Sequence, residues 1–206
     1  QLIEDSKMEV LKITNHKDTG KLAGFKSLNT SVAKNTFCQK MREKDSICRK
    51  CYAANMEKAY KNLRINIQSN SEILSTRILN RQELPRVNDL AFRFHSTGEL
   101  INDTHFLNFI NIALDNPATR FVLWSKRNDI IQRVLKMVSL PDNFKLIYSN
   151  PKMNSKDIKP PKHFTKVFSV YNKDTKRKDI NCSQKCIDCM VCYSDNNVTN
   201  IRELVK

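Results

Sequence analysis

Apolar residues follow two different periods along the chain, and the two periods alternate. Five short runs of apolar or alternating residues, each typical of a β-strand, lie at 8–14, 90–97, 121–124, 144–148 and 167–171. Leu90, Phe92 and Phe94 alternate with Ala91 and Arg93, which predicts that one face of that strand is buried. Between the runs, apolar residues recur at helical spacing.

Three helices are predicted between these strands. The longest carries a stripe of apolar residues at steps of three, four and seven, formed by Met56, Tyr60, Leu63, Ile67, Leu74 and Ile78. Asp103 is expected to cap a second helix over about 104–115. A third is expected to begin at Asn128 and Asp129 and to bury Ile130, Ile131 and Val134.

Strands that alternate with helices predict an α/β fold whose sheet is mostly parallel. The chain has room for about four to six strands, too few for a closed barrel of eight β/α units. We therefore expect a partial, open β/α barrel over residues 1–180, with a cysteine-rich loop at 38–51. Residues 181–206 are expected to form a cysteine-rich segment packed on that domain.

The charge of the chain favours a polyanionic partner. The net charge is +15, from 36 Lys and Arg against 21 Asp and Glu. Many of the cations lie in the last third: Lys152, Lys156, Lys159, Lys162, Lys166, Lys173, Lys176, Arg177 and Lys178. Such a surface attracts nucleic acid without regard to base sequence, although a solvated basic face is the alternative.

Composition excludes several classes of protein. Only three glycines are present, too few for the Gly-rich phosphate loops of P-loop kinases or Rossmann dehydrogenases. No run of about 18 apolar residues predicts a membrane span, and residues 1–10 do not resemble a secretory signal. The expected location is the cytoplasm, that of the host cell if the protein is viral.

Seven cysteines form two groups. The first contains Cys38, Cys48 and Cys51, and the second contains Cys182, Cys186, Cys189 and Cys192. An odd number of cysteines without a secretory signal argues against a disulfide scaffold. Four cysteines within eleven residues are typical of iron–sulfur proteins rather than of the paired spacing of structural zinc, but a zinc-ribbon-like module remains the alternative.

The two groups predict one or two 4Fe–4S clusters, with all seven cysteines as ligands. A cubane held by three thiolates keeps one iron without a cysteine, and that iron can bind a small molecule such as S-adenosylmethionine. Alternatively, a cysteine of the second group completes the first site, or all the clusters are structural. The sequence leaves these possibilities open.

Gly98 marks a second candidate site, at the end of the predicted strand 90–97. Parallel sheets bind ligands at the carboxyl ends of their strands, and Gly98 follows such an end together with His95, Ser96, Thr97 and Glu99. His95, Thr97, Gly98 and Glu99 are therefore candidate cofactor-binding residues. The alternative is an ordinary strand-to-helix turn with polar side chains.

Several motifs resemble the phage "gene product 88" domain family. They are NTSVAKNTFCQK (29–40), ICRKCYA (47–53), KNLRIN (61–66), FRFHSTGEL (92–100), RFVLWSKR (120–127) and CMVCY (189–193). The resemblance implies an iron–sulfur protein in a viral or mobile-element context, with no defined reaction.

The order of elements is also similar to that of the radical S-adenosylmethionine superfamily. In that comparison Cys38, Cys48 and Cys51 are the cluster ligands, Tyr52 is the aromatic residue beside the last of them, and Thr97-Gly98-Glu99 replaces the superfamily's Gly-Gly-Glu element. Two departures weaken the comparison. Nine residues lie between the first two cysteines, more than is usual in that superfamily, and Thr97 replaces a glycine. The resemblance implies a cluster that binds S-adenosylmethionine.

Two functional hypotheses follow. The first is an iron–sulfur protein with a radical-enzyme-like fold, and the second is a non-enzymatic nucleic-acid-binding or regulatory protein whose clusters, or zinc, are structural. No residue pattern indicates hydrolysis, and no pattern identifies a substrate or an oligomeric state.

Overall fold

One seven-stranded sheet forms the centre of the protein. The computed structural model describes residues 10–17 and 20–205. The strands are β1 (Ile13–Asn15), β2 (Lys26–Leu28), β3 (Ala91–Phe94), β4 (Arg120–Ser125), β5 (Phe144–Ser149), β6 (Lys166–Tyr171) and β7 (Asn200–Leu204). They lie side by side in sequence order, with only β1 antiparallel to its neighbour. The predicted α/β class and mostly parallel, open sheet are confirmed.

Within residues 10–17 and 20–205, six α-helices accompany the sheet. They are α1 (Thr36–Glu43), α2 (Tyr52–Ala59), α3 (Lys61–Thr76), α4 (Asp103–Asp115), α5 (Asn128–Val134) and the short α6 (Cys186–Cys189). The first three connect β2 to β3, whereas α4 and α5 are the crossovers that follow β3 and β4. None of the helices in the described ranges has the length and apolar character that crossing a membrane requires.

An aromatic core lies between the sheet and helices α3, α4 and α5. Phe94 of β3 stacks on Phe109 of α4 with ring centroids 4.0 Å apart, and on Phe121 of β4 at 5.0 Å. These three rings are fully buried. Since successive strand residues point to opposite faces, Ala91 and Arg93 face away from this core, as the alternation predicted.

The opposite face of the sheet is covered by the C-terminal cysteine-rich segment. Tyr193 of that segment is buried and packs against Phe25 at 4.8 Å and against Trp124 of β4 at 5.6 Å. The same segment then continues into β7, which pairs with β6 along its whole length. Residues 181–205 therefore extend the sheet as well as cover it.

The prediction of one long helix after residue 55 is wrong. Tyr60 has an extended backbone (φ −111°, ψ 102°), and it separates α2 from α3. Ile67 and Leu74 of α3 are buried as predicted, but Met56 and Tyr60 are exposed and Ile78 lies beyond the end of α3. The periodic spacing of apolar residues continues across the point where the helix is interrupted, so the spacing alone did not reveal the interruption.

The strand predictions also need correction. Two strands, β2 and β7, were not predicted, and Leu90 is exposed just before β3. The strand predicted at 8–14 is β1 at Ile13–Asn15, and residues 8 and 9 of that prediction lie outside the described residues. The N-terminal cap of α4 is Asn102 rather than Asp103, because the Asn102 side chain accepts a hydrogen bond from the backbone N–H of His105.

Candidate functional site

The start of α1 is tied to the segment that follows β3, and this tie positions Cys38. The side-chain oxygen of Asn35 accepts hydrogen bonds from the backbone N–H groups of Phe37 and Cys38, which caps the helix. The Asn35 amide donates to the backbone carbonyl of Glu99 at 3.0 Å. Cys38 is thereby held near the carboxyl ends of β3 and β4.

The loop that carries Cys48 and Cys51 is anchored at the same edge of the sheet. The backbone N–H of Ile47 donates to the carbonyl of Pro151, at 2.9 Å, in the loop after β5. The hydroxyl of Tyr52, directly after Cys51, donates to the carbonyl of Ser96 at 2.6 Å. Both flanks of the Cys48–Cys51 turn are therefore fixed to the ends of parallel strands.

Glu57 holds α2 in place from its buried side. Its carboxylate accepts hydrogen bonds from the Ser31 hydroxyl, the backbone N–H groups of Val32 and Ala33, and the Gln68 side chain. Glu57 is only 2% exposed. A buried carboxylate with this many donors locks α2 against the segment that leads into α1.

The thiols of Cys38, Cys48 and Cys51 lie close enough to influence one another. Burial raises the pKa of Cys38, and the negative charge of Glu99 raises it further. Burial likewise raises the pKa of Cys48, while the positive charge of Lys126, at the end of β4, lowers it. The structure thus brings Glu99 and Lys126 beside the three cysteines.

Glu99 is buried and its carboxylate already has protein donors. It accepts hydrogen bonds from the Ser125 hydroxyl at 2.6 Å, from the Lys126 backbone N–H at 2.8 Å and from its neighbour Leu100 N–H at 2.9 Å. Two of these donors belong to the end of β4. The carboxylate therefore joins the segment after β3 to the end of β4.

Gly98 allows a close approach of two backbone segments. Its φ is +107°, and a Cβ at this position would lie 2.3 Å from the Thr30 hydroxyl oxygen and 2.7 Å from the Thr30 carbonyl oxygen. Only glycine fits such a contact at a positive φ. This packing is sufficient to explain why the chain has a glycine here. Thr97, next to it, donates its backbone N–H to the Asn29 side chain.

His95 is buried between the sheet and α4. Its Nε2 lies 3.1 Å from the Thr30 hydroxyl, and its ring meets that of His105 edge-on at 5.2 Å. Burial lowers the pKa of His95, and burial also lowers the pKa of His105 to about 3. Both rings are therefore neutral at pH 7.

The second cysteine group lies on the face of the sheet opposite the aromatic core. Cys182, Cys186, Cys189 and Cys192 line a cavity with Lys21, Arg93, Trp124 and Tyr193 among its other walls. The backbone N–H of Cys186 donates to the Lys21 carbonyl at 2.9 Å, and that of Cys182 donates to the Arg202 carbonyl in β7 at 3.1 Å. These bonds attach the group to the segment before β2 and to β7.

Burial also dominates the electrostatics of this second group. It raises the pKa of Cys192 to about 12 and raises the pKa values of Cys182 and Cys186, whereas the charge of Lys21 lowers all three. Arg93 lowers the pKa values of Cys186 and Cys192. Two cations thus face four partly buried thiols.

Arg93 lines the cavity of the second group and is bonded to the backbone segment that leads to the first group. Its guanidinium carbon is 4.0 Å from the centre of the Trp124 ring, and its Nε donates to the carbonyl of His95 at 3.1 Å. Ser96, the next residue, is the one that accepts from Tyr52. A short stretch of backbone after β3 therefore connects Arg93, at the second group, with Tyr52, at the first.

All seven cysteines are free thiols in the structure. In the ranges that the structure describes, no group of three or more His, Cys, Asp or Glu side chains could hold a metal ion as the side chains stand. The thiols are gathered three and four together without meeting around a single point.

The basic run of the last third is partly structural. Lys166 is 4% exposed, and its ammonium donates to Asn196 and to the Val198 carbonyl. Arg177 is paired with Asp157 and Asp179. The other lysines predicted as basic surface, Lys152, Lys156, Lys159, Lys162, Lys173, Lys176 and Lys178, are exposed.

Comparison with protein families gives a match over nearly the whole chain. The family model described as gene product 88 matches residues 6–202, nearly the whole chain. The chain belongs to the gene product 88 family. Neither the comparison with curated proteins nor that with solved structures found a match. The family resemblance drawn from the motifs is confirmed, and this match by itself assigns the family no cofactor or reaction.

Several residues that organise the site in this gene product 88 protein were not predicted. Asn29, Asn35 and Glu57 are polar, buried and bonded to partners 24 to 68 positions away in sequence. Lys126 lies in the motif RFVLWSKR, but it was not among the candidate site residues. The one signal in the sequence was the polar stretch 29–35, NTSVAKN, which contains no strand or helix period.

Proposed function

We propose that this gene product 88 protein is an iron–sulfur protein with two 4Fe–4S clusters, one on each cysteine group. The observation that carries the proposal is the gathering of seven free thiols into a set of three and a set of four, at separate places on one sheet. Cys38 and Cys48 come together although nine residues separate them.

The donor set fits iron–sulfur clusters. Thiolates are the usual protein ligands of such clusters, and each thiolate of a cubane binds a different iron, so the sulfurs need not meet around one point. Burial disfavours a bare thiolate at Cys38, Cys48, Cys182, Cys186 and Cys192. Binding iron removes that penalty, because the metal takes the place of the proton.

The first group is the candidate site of chemistry. Three thiols leave one iron of a cubane without a cysteine ligand, and this iron would bind S-adenosylmethionine for reductive cleavage. The position at the carboxyl ends of β3 and β4 is where open parallel sheets bind ligands. Here Lys126 offsets the negative charge of the thiolates, and Tyr52 and Asn35 hold the two cysteine segments to the strand ends.

The fold supports the same assignment. The mostly parallel, open sheet and the position of the cysteine loop between β2 and β3 support the comparison with a radical S-adenosylmethionine partial barrel. The Thr97–Glu99 turn differs in one respect from the element that it replaces in that comparison. The Glu99 carboxylate already accepts hydrogen bonds from this chain, and Gly98 is already packed against Thr30. We therefore infer that the Thr97–Glu99 turn positions the segments that carry the first cysteine group.

Electron paramagnetic resonance of the anaerobically purified, dithionite-reduced protein tests the proposal. We expect a cubane signal, a broad visible absorption that bleaches on reduction, and a change of the signal when S-adenosylmethionine is added. A variant with Cys38, Cys48 and Cys51 changed to Ser is expected to keep the signal of the second cluster but to lose the response to S-adenosylmethionine.

Two results would overturn parts of the proposal. Stoichiometric zinc without sulfide would contradict both clusters and favour a zinc-ribbon-like module. A cluster signal that S-adenosylmethionine does not change, in a reduced protein that does not cleave it, would contradict the enzyme and leave clusters that only stabilise the fold.

A further inference from the structure

An exposed stripe runs along α2, next to the first cysteine group. Its members are Tyr52, Met56 and Tyr60, which follow one another at steps of four and are 62%, 38% and 61% exposed. Tyr52 and Met56 lie on one face of α2, about 6 Å apart along its axis, and Tyr60 follows directly after the helix, where its backbone N–H still donates to the Met56 carbonyl at 2.9 Å. These two tyrosines are the only exposed aromatic side chains in the part of the chain that the structure describes.

The stripe is presented outward by contacts on the other side of α2. Glu57, on the buried side, is fixed by the segment at 31–33 and by Gln68. The Tyr52 hydroxyl is held by the Ser96 carbonyl while most of its ring remains exposed. The helix therefore cannot turn to bury the stripe without breaking these bonds.

The sequence on either side of the stripe is strongly basic. Residues 40–64 contain eight Lys and Arg against three Asp and Glu, and one of those three acids is the buried Glu57. The cations are Lys40, Arg42, Lys44, Arg49, Lys50, Lys58, Lys61 and Arg64. Within the described ranges none of these eight is in an ion pair, in contrast to Arg177 and Arg202 near the other end of the chain.

We propose that this face of α2 binds single-stranded nucleic acid. Aromatic rings that project from a basic surface are the combination that single strands recognise, because the unpaired bases stack on the rings and the phosphates meet the cations. A duplex hides its base faces and would use only the cations. The proposal does not depend on the clusters.

Tyr60 is the decisive position for a test. Its side chain has no hydrogen bond in the described structure and is 61% exposed, so Tyr60→Ala removes the ring without breaking a side-chain hydrogen bond. Tyr60→Phe keeps the ring and serves as the matched control. Lys58→Ala with Lys61→Ala removes two nearby cations, and Lys136→Ala removes one exposed cation after α5, away from the stripe in sequence.

Fluorescence anisotropy with labelled oligonucleotides of about 20 nucleotides measures the binding. The probes are single-stranded DNA, single-stranded RNA of the same sequence, and the DNA duplex. We expect Tyr60→Ala to weaken single-strand binding by about tenfold or more, whereas Tyr60→Phe stays within about twofold of the wild type. The two-lysine variant is expected to bind more weakly and to show a shallower dependence on salt, whereas Lys136→Ala does not.

The DNA and RNA arms identify which single strand is preferred. The proposal fails if Tyr60→Ala binds as tightly as Tyr60→Phe, if the duplex binds as tightly as the single strand, or if no probe binds at about 100 mM salt. Should Tyr60→Ala not fold, as judged by circular dichroism, the two-lysine variant compared with Lys136→Ala decides the matter.

Discussion

The carboxylate of Glu99 accepts a hydrogen bond of 2.6 Å from the hydroxyl of Ser125, and this contact joins the segment after β3 to the end of β4. The other carboxylate oxygen accepts from the Lys126 backbone N–H at 2.8 Å. The positive charge of Lys126 also lowers the pKa of Cys48. One buried acid thus aligns the two strand ends beside which the first cysteine group lies.

Replacing Glu99 should therefore cost stability. Glu99→Ala leaves the Ser125 hydroxyl and the Lys126 N–H buried without their acceptor, and each such loss costs about 1–3 kcal/mol. We expect the free energy of unfolding in urea to fall by about 2–4 kcal/mol. Ser125→Ala removes one of the Glu99 bonds and also the acceptor of the Arg127 backbone N–H, so its effect should be smaller than that of Glu99→Ala, about 1–2 kcal/mol. Equal stability of Glu99→Ala and the wild type would contradict this role.

Glu57 offers a second test, directed at the cysteine loop. Glu57→Ala leaves the N–H groups of Val32 and Ala33 without an acceptor and frees α2, which should lower the free energy of unfolding by about 2–4 kcal/mol. The loss should also reduce the iron bound by the first group, measured by metal analysis. Lys58→Ala, at the next and exposed position, is the control and should change neither quantity.

Gly98 can be compared with a glycine of similar backbone conformation. Gly98 and Gly20 have φ values of +107° and +98°, but a Cβ at Gly20 meets nothing within 4 Å, whereas one at Gly98 would overlap Thr30. Gly20→Ala should therefore cost only the strain of a positive φ, about 1–2 kcal/mol. Gly98→Ala adds a clash with backbone and should be clearly less stable in thermal unfolding. Similar melting temperatures would contradict the close packing.

The buried histidines predict a loss of stability in acid. Their folded pKa values are lowered, that of His105 to about 3, so the unfolded chain binds more protons than the folded protein between about pH 6.5 and pH 3. Stability is full above pH 6.5 and falls as the pH decreases through this window. His105→Gln should reduce the slope of unfolding free energy against pH by up to about 1.4 kcal/mol per unit. An unchanged slope would show that His105 becomes charged in the folded protein.

The sequence revealed the strands that are apolar and concealed those that are not. β4 has five successive buried residues, and its run Phe121–Trp124 was evident from the sequence. β2 reads Lys-Ser-Leu and β7 reads Asn-Ile-Arg-Glu-Leu, so neither has a clear period. Such strands form because a neighbouring strand offers hydrogen bonds, which is a tertiary effect that local propensity does not contain.

The candidate site was predictable as far as its chemistry is carried by distinctive residues. Cysteine is distinctive, and its two groups in the sequence correspond to two groups of thiols in space. Asn35 and Glu57 were not predictable, because a polar residue that bonds to a distant backbone resembles any surface residue in the sequence. The role of Glu99 as a bridge to β4 was hidden for the same reason.

Iron and acid-labile sulfide per chain, measured after anaerobic purification of three proteins, test the central claim most directly. The wild type should contain about eight of each, as expected of two four-iron clusters. The variant with Ser at 38, 48 and 51 and the variant with Ser at 182, 186, 189 and 192 should each contain about half. Zinc in place of iron, absence of sulfide, or a loss of all iron from either variant while its fold persists would contradict two independent clusters.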